Sequence, residues 1–315
     1  MKIAINTNLE GLSDVEQKLS EIGQLLYPVN YDQQDCLNIS KSSDVIFTNP
    51  NNLGFRYDRE FISKCSNLRY LVTASTGTDH IDISCLKDLG VQLIFLRHEQ
   101  EFMRKVTATA EHAMCLTLAS ARKLIRATEN VRSGNWSWDG CVGTQISSKT
   151  IGVIGYGRLG KLYASYMQPM AKNVLIYDPL LTPDQFYPFK SSTLCNVLAA
   201  DIISIHIHAD QSNLDWLDEH KLSRVKSDVL IVNTSRGGIV NESHLASFLN
   251  ENSEARYATD VLANELDSYA KSPLFAPNLA DQIFITPHIG GMTRESRALA
   301  YGRAVTLFED ALQNE

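Results

Sequence analysis

Residues 151–160 of the chain read Ile151-Gly152-Val153-Ile154-Gly155-Tyr156-Gly157-Arg158-Leu159-Gly160. A β-branched run leads directly into G-x-G-x-x-G, at the point where a helix is predicted to begin. Gly155 permits a tight turn, Gly157 lets the backbone approach a pyrophosphate, and Gly160 lets the helix pack close to the strand. The N-terminus of the helix attracts the anion. The stretch therefore predicts the first βα turn of a dinucleotide-binding fold.

An acidic residue follows at the spacing that this fold requires. Asp178 stands 23 residues after Gly155, directly behind a second predicted strand, and about 20 residues are typical. A carboxylate at this point accepts both ribose hydroxyls and repels a 2′-phosphate, so NAD is favoured over NADP. The alternatives are an ordinary turn whose aspartate caps a loop before Pro179, and a domain of similar layout that binds S-adenosylmethionine.

Further β-rich runs extend the pattern downstream of the glycines. Six parallel strands in βα alternation predict a doubly wound Rossmann domain. They are expected at 150–154, 174–177, 202–207, 229–233, 256–260 and 283–285.

Upstream, the sequence predicts a second and smaller parallel sheet. Short β-rich runs at 2–6, 44–48, 68–74 and 91–96 alternate with helix-compatible segments. Residues 107–132 have helical apolar spacing and predict one long, well-buried helix, and residues 292–315 predict a helix that packs back on the first domain.

The resulting fold class is α/β, with two doubly wound parallel-sheet domains. A smaller flavodoxin-like substrate domain is expected over 1–100 plus 289–315, and a Rossmann NAD-binding domain over 101–288. A chain of 315 residues is also long for a single core.

Composition excludes several classes of function. The net charge of −7 and the absence of Lys/Arg clusters argue against nucleic-acid binding. No apolar run approaches the length of a membrane span, and the first residues do not form a secretion signal, so a cytoplasmic location is expected. The six cysteines lack metal-ligand spacing and are expected to be reduced, with no metal site.

Three chemically matched residues follow successive strands of the second series: Arg236, Glu265 and His288. The carboxyl ends of parallel strands meet at one edge of a sheet, so these side chains are expected to converge. Reduction of a ketone by hydride leaves an alkoxide that needs a proton, and histidine is a suitable donor near neutral pH. Glu265 would stabilise the imidazolium and fix the tautomer of the neutral ring. Arg236 would bind a carboxylate and polarise a keto oxygen. Taken singly, each residue also has a purely structural interpretation.

With these motifs in order, the sequence resembles the D-isomer-specific 2-hydroxyacid dehydrogenase family over nearly the whole chain. The specific marks are at 110–112, 155–160, 205–206, 233–238, 260–265 and 286–291. The resemblance implies hydride transfer between NAD(H) and C2 of a small D-2-hydroxy or 2-keto acid, with Arg236 holding the substrate, Glu265 orienting His288 and His288 exchanging the proton. It also implies cofactor contacts from Thr109, Gly155, Gly157, Arg158, Leu159, Gly160, Asp178, His206, Thr234, Asp260 and Gly290.

The first domain departs from the family pattern where the substrate would bind. Residues 73–82 correspond to the carboxylate-binding loop, and the backbone N–H groups of Ser75, Thr76 and Gly77 are expected to form an anion nest. The usual glycine and arginine of this loop are replaced by Ser75 and Thr73, which leaves the substrate undefined. Arg97 is either a second anion ligand or part of an exposed hinge. His208 replaces the usual proline beside the adenine pocket.

Trp136 and Trp138 follow the long helix, in the region that supports dimerisation in relatives. They are expected either at the interface of a homodimer formed through the NAD domain or in the core.

The main functional alternative is an NAD-sensing scaffold of the corepressor type. Glu265 argues against formate dehydrogenase, whose histidine pairs with glutamine, whereas phosphite and 3-phosphoglycerate oxidation stay open. A regulatory domain after His288 is not expected.

Overall fold

The computed structural model describes residues 1–50, 54–210, 212–266 and 268–314. The chain divides into two compact units. Unit 1 comprises Met1–Val106 with Gly291–Glu315, and unit 2 comprises Thr107–Gly290. The division follows the packing, because Met103 and Val106 belong to the apolar core of unit 1. Residues 101–106 therefore lie with the first unit, although the sequence suggested a boundary near residue 100.

Unit 1 is a parallel α/β sheet with helices on both faces, and in the described residues its strand order is β2-β1-β3-β4-β5. This is the flavodoxin-like order. The strands are β1 (Lys2–Asn6), β2 (Gln24–Leu26), β3 (Val45–Thr48), β4 (Tyr70–Thr73) and β5 (Gln92–Ile94). The helices are α1 (Ser13–Ile22), α2 (Gln33–Ser40), α3 (Arg59–Ser63), α4 (Ile83–Asp88), α5 (Gln100–Met103) and, at the C-terminus, α12 (Arg294–Gln313).

Unit 2 is a larger parallel sheet, and its strand order over the described residues is β11-β10-β9-β8-β6-β7. Its strands are β6 (Thr150–Ile154), β7 (Asn173–Tyr177), β8 (Ile202–Ile205), β9 (Leu230–Asn233), β10 (Arg256–Thr259) and β11 (Ile283–Ile285). Its helices are α6 (Ala108–Ala121), α7 (Leu124–Arg132), α8 (Arg158–Met167), α9 (Leu194–Leu198), α10 (Glu219–Leu222) and α11 (Glu242–Glu251).

Strand β6 shows why the unit 2 sheet is covered on both faces. Ile151 and Val153 pack into the apolar cluster that contains Tyr163 of α8, whereas Ile154 points into the opposite cluster with Leu245 of α11. Successive side chains of a strand alternate between faces, so an uninterrupted apolar strand needs helices on both sides. The chain order reverses at β6, which makes the carboxyl ends of β6 and β8 the switch point where ligands bind in such sheets.

Residues 107–132 do not form the single buried helix that the sequence predicted. The first helix ends at Ala121, Lys123 adopts a left-handed conformation with φ 50°, and α7 then begins with no buried residue. The returning chain accounts for the break, because Thr144 N donates to Ala121 O at 2.7 Å. The carbonyl at the end of α6 is therefore satisfied by a residue distant in sequence.

Other differences from the predicted elements are small. Strand β2 was missed because its three residues are too short to show an alternating pattern; it pairs with β1, with Gln24 opposite Lys2. The C-terminal helix is present, capped by Thr293, and packs into the core of unit 1 through Tyr301 and Phe308; Glu315, at the end of the predicted helix, lies outside the described residues. Among the described residues, none of the helices combines the length and the hydropathy that crossing a membrane demands.

Candidate active site in unit 2

The strand register places the predicted site residues along one edge of the unit 2 sheet. Ile154, Ile205, Asn233, Thr259 and Ile285 are successive partners in neighbouring strands. The residue after each of them therefore lies at the carboxyl edge. These residues are Gly155, His206, Thr234, Asp260 and Thr286.

The glycine loop between β6 and α8 has the geometry that its sequence predicts. Gly155 has φ 89°, and a Cβ there would lie 2.7 Å from the carbonyl oxygen of His206. A Cβ at Gly160 would overlap the carbonyl of Gly155, so the helix approaches the strand as closely as glycine allows. At Gly157 a Cβ would meet no atom of the described residues within 4 Å. The loop therefore leaves open space beside Gly157, where a pyrophosphate would need to approach the backbone.

Helix α8 starts at Arg158, with Gly157 as its N-cap, so its first N–H groups adjoin this open space. Arg158 and Leu159 are half-buried, and burial lowers the pKa of Arg158. Asp178, after β7, accepts hydrogen bonds from Tyr156 N at 2.8 Å and from Leu180 N at 3.0 Å. The carboxylate is thus fixed beside the glycine loop.

Two further residues at this edge fit a bound cofactor. The hydroxyl of Thr234 is buried, and among the described residues it has no hydrogen-bond partner. A buried hydroxyl normally has a hydrogen-bond partner, which a ligand group would supply here. His206 packs its ring 5.0 Å from that of Tyr163 and hydrogen-bonds to Ser204 Oγ through Nε2. Burial lowers the pKa of His206 to about 3, which keeps its ring neutral beside the loop.

Thr109, the predicted cofactor contact on α6, is half-buried, and its Cγ2 would lie 3.4 Å from a Cβ at Gly290. The same Cβ would be 2.9 Å from Asp260 Oδ2. Thr109, Asp260 and Gly290 therefore form one cluster next to the strand edge. Only glycine fits at position 290 without displacing the carboxylate.

His288 and Glu265 form the hydrogen-bonded pair that the sequence predicts. His288 Nδ1 lies 2.6 Å from Glu265 Oε1, and the two side chains are 28% and 26% exposed. The other carboxylate oxygen, Oε2, accepts from Leu262 N at 3.2 Å. Glu265 is therefore oriented by the backbone and in turn orients the imidazole, while both groups keep some solvent access.

His288 has a left-handed backbone, with φ 54°. This conformation is uncommon for a residue other than glycine and requires support from its surroundings. Asp260 supplies that support, because its carboxylate accepts from Ile289 N at 2.9 Å and from Gly290 N at 2.7 Å. Burial alone would raise the pKa of Asp260, but hydrogen bonds from His112, Thr286 and these backbone groups outweigh it and lower the pKa.

Arg236 lies in the loop after β9, half-buried, with Nη1 donating to Ser235 O at 2.8 Å. The side chain of Asn233 shapes this loop. Its Nδ2 donates to Arg236 O at 3.0 Å, and its Oδ1 accepts from Ser235 N at 3.0 Å. A Cβ at Gly237 would overlap the backbone of Leu262, so the loops that carry Arg236 and Glu265 are in direct contact.

The sequence did not identify these supporting roles of Asn233, Gly237 and His112. Their positions within the family motifs were the only available signal, since each acts on a residue that is brought close by the fold. Clusters of His, Cys, Asp and Glu suited to a metal are not found among the described residues.

The predicted substrate loop lies in unit 1, after β4. Ser75 and Thr76 are half-buried and Gly77 is buried. Ser75 Oγ donates to Gly77 O at 2.7 Å and lies 2.9 Å from Thr73 Oγ1, so the two residues that depart from the family pattern contact one another. Arg97 is exposed in a turn after β5.

Trp136 and Trp138 are 90% and 80% exposed. The alternative that they pack in the core of this chain is therefore wrong. His208 is exposed, and its carbonyl accepts from Asn213 Nδ2 at 3.0 Å.

Unit 2 thus combines an open glycine loop, a carboxylate beside it and a His–Glu pair at the same strand edge. Such a pair can hold a proton on the imidazole and exchange it with an oxygen atom of a ligand.

Comparison with known proteins agrees with this site. D-3-phosphoglycerate dehydrogenase of Archaeoglobus fulgidus is 32% identical over 248 residues, which cover 77% of this chain and 45% of that protein. Hydroxypyruvate reductase of Thermotoga maritima is 28% identical over 241 residues, 76% of each chain. D-lactate dehydrogenase of Aquifex aeolicus, solved with NAD and lactic acid, has the same fold, with a TM-score of 0.81, 23% identity and coverage of 100% of this chain and 96% of that one.

The chain spans about half the length of the phosphoglycerate dehydrogenases that it matches. Residues 114–290 match the model of the NAD binding domain of D-isomer specific 2-hydroxyacid dehydrogenases. This match covers more than half of the 315 residues and includes the glycine loop, Asp178 and the His288–Glu265 pair. The chain therefore belongs to the D-isomer specific 2-hydroxyacid dehydrogenase family, and unit 2 contains its NAD-binding domain.

Proposed function

We propose that the protein is an NAD-dependent oxidoreductase that interconverts a small D-2-hydroxy acid and the corresponding 2-keto acid. The observation that carries the proposal is the His288–Glu265 pair, with Nδ1 and Oε1 2.6 Å apart, in the same unit as the glycine loop. Names of relatives, which include phosphoglycerate dehydrogenase and hydroxypyruvate reductase, support the same class of substrate.

The cofactor fits the residues present. Gly155, Gly157 and Gly160 would hold the pyrophosphate and Asp178 the ribose hydroxyls, while the buried hydroxyl of Thr234 would gain a partner. NAD, when bound, accepts or supplies the hydride. The carboxylate of Asp178 disfavours a 2′-phosphate, so NAD is preferred over NADP.

The catalytic roles follow from the hydrogen bonds of the pair. Because Glu265 occupies Nδ1, His288 exchanges its proton with the substrate through Nε2. During reduction, the imidazolium donates this proton to the C2 oxygen, and Glu265 stabilises the imidazolium beforehand. During oxidation, the neutral imidazole accepts the hydroxyl proton. Arg236 binds the substrate carboxylate through its planar guanidinium.

The predicted substrate loop, residues 73–82, lies in unit 1. The backbone N–H groups of Ser75, Thr76 and Gly77 would bind the carboxylate, with Arg97 as a second anion ligand. The contact between Ser75 and Thr73 restricts this loop to a conformation set by two hydroxyls rather than by glycine and arginine. This difference is relevant to the choice of substrate.

A homodimer formed through the NAD-binding domain is the expected assembly. Trp136 and Trp138 support it, since their indole rings are 90% and 80% exposed and aromatic residues are enriched at protein interfaces. The cytoplasmic location stays a prediction.

A substrate panel tests the proposed function. NADH oxidation would be followed with hydroxypyruvate and pyruvate, and NAD reduction with D-3-phosphoglycerate, each repeated with the 2′-phosphorylated cofactor. We expect turnover of at least one substrate, with preference for NAD(H). Tight NADH binding without turnover of any substrate would contradict the proposal and favour an NAD-sensing scaffold.

A further inference from the structure

His112 has no role in the proposed reaction, yet it contacts the residues that hold the catalytic loop. It lies on α6, and its side chain is 17% exposed. His112 Nε2 is 2.9 Å from Thr286 Oγ1 and 3.3 Å from Asp260 Oδ1. Thr286 and Asp260 follow β11 and β10, so His112 connects a helix to two strand ends.

The hydrogen atoms of this cluster can be assigned. Thr286 has one hydroxyl proton, and its Oγ1 lies 2.6 Å from Asp260 Oδ1. An ionised carboxylate only accepts hydrogen bonds, so Thr286 donates to Asp260. The carbonyl oxygen of Thr259, 3.5 Å from Thr286 Oγ1, likewise only accepts, so the contact of Thr286 with His112 requires a donor on the histidine. His112 therefore carries a proton on Nε2, directed at Thr286 and Asp260.

The same carboxylate fixes the backbone next to the catalytic histidine. Asp260, 2% exposed, accepts from Ile289 N at 2.9 Å and from Gly290 N at 2.7 Å. Its main-chain oxygen also accepts from His288 N at 2.9 Å. These bonds hold His288 at φ 54°, the conformation in which its Nδ1 meets Glu265. A rotation of the Asp260 carboxylate would release the Ile289 and Gly290 amides.

We propose that His112 is a positioning residue for this reaction: its Nε2–H fixes Thr286 and the Asp260 carboxylate, and through them the backbone conformation that directs His288 onto Glu265. The proposal rests on the proposed function for its effect on catalysis. Its effect on the loop is independent of any substrate. His112 does not itself exchange a proton with the substrate in this scheme.

The test compares three variants on α6. His112→Phe keeps a ring but removes the donor, His112→Gln restores an N–H donor at a similar reach, and Cys115→Ser changes an exposed residue of the same helix as the control. For each, kcat, KM and the NADH dissociation constant would be measured with the best substrate of the panel. Hydrogen exchange of the Ile289 and Gly290 amides, measured by NMR, reports the loop without any substrate.

For His112→Phe we expect kcat to fall by about tenfold to a hundredfold, the loss typical of a misplaced catalytic group, with a much smaller change in NADH affinity. The Ile289 and Gly290 amides should exchange faster, while amides of the core strand β9 keep their protection. His112→Gln should recover most of both properties, and Cys115→Ser should match the unmodified protein.

Other results would overturn the proposal. Unchanged exchange of the two amides in His112→Phe would show that His112 does not hold the loop. Weaker NADH binding at unchanged kcat would make His112 a cofactor contact instead. Should the unmodified protein turn over no substrate, the proposed function fails, but faster amide exchange in His112→Phe would still support the positioning of the loop.

Discussion

Gly237 offers a sharp test of whether the Arg236 and Glu265 loops act together. A Cβ at this position would overlap the backbone of Leu262. In the part of the chain that the structure describes, a Cβ on the neighbouring Gly238 would meet only a flexible methyl of Leu214, at 3.2 Å. The φ angle of Gly237 is outside the left-handed region, so Gly237→Ala acts through this contact and not through backbone strain. Gly238→Ala is therefore a matched control.

The size of the effect follows from the overlap. The new Cβ would lie 1.9 Å from the carbonyl carbon of Leu262, and ordinary contact begins at 3.4 Å, so the two loops must move apart by roughly 1.5 Å. Overpacking against backbone atoms is expected to cost about 3 kcal/mol. In a domain of this size, Tm falls by about 2–4 °C for each kcal/mol. A typical total stability of about 5–15 kcal/mol would leave the variant folded at 25 °C. A displacement of about 1 Å between catalytic groups costs about a hundredfold in rate.

The assay is kcat with the best substrate of the panel, together with Tm and the NADH dissociation constant. We expect Gly237→Ala to lose at least about two orders of magnitude in kcat and to keep most of its NADH affinity, because the glycine loop follows a different strand. Gly238→Ala should lose little. Equal activity of the two variants would refute the idea that contact between these loops sets the geometry of the site.

Three further predictions concern the cofactor, pH and assembly. Asp178→Ser should reduce the preference for NADH over NADPH, measured as the ratio of kcat/KM values; an unchanged ratio would contradict the ribose assignment. Burial lowers the pKa of His206 from 6.5 to about 3, so between these pH values the unfolded chain binds more protons than the folded chain. The free energy of unfolding therefore falls as the pH drops, by about 2 kcal/mol between pH 7 and pH 5. In urea unfolding, the stability of His206→Gln should depend less on pH. The same pH dependence as in the unmodified protein would contradict the assignment to His206. Trp136→Ser with Trp138→Ser should shift a dimer toward monomer in sedimentation velocity, whereas unchanged sedimentation would place the interface elsewhere.

The elements that carry a local sequence pattern could be predicted from the sequence alone. The glycine loop, strand β6 and the C-terminal helix each carry their own pattern of apolar residues, glycines or caps. Parallel sheets bring strand ends together, so the proximity of Glu265 and His288 also followed from their order along the chain.

The remaining features depend on contacts between distant residues. Lys123 breaks the predicted long helix where Thr144 returns to the carbonyl of Ala121, and nothing within residues 107–132 signals that return. Likewise, the requirement for glycine at 237 arises from the Leu262 backbone, 25 residues further along the chain. Close packing of this kind is decided by the assembled fold.

The role of His288 is the central claim, and His288→Asn tests it most directly. General acid–base catalysis contributes about 10²- to 10⁴-fold, so we expect kcat to fall by at least a hundredfold while NADH binds with unchanged affinity in a fluorescence titration. Glu265→Gln should also lower kcat, but by a smaller factor than His288→Asn. Turnover by His288→Asn at a rate near that of the unmodified protein would contradict the account.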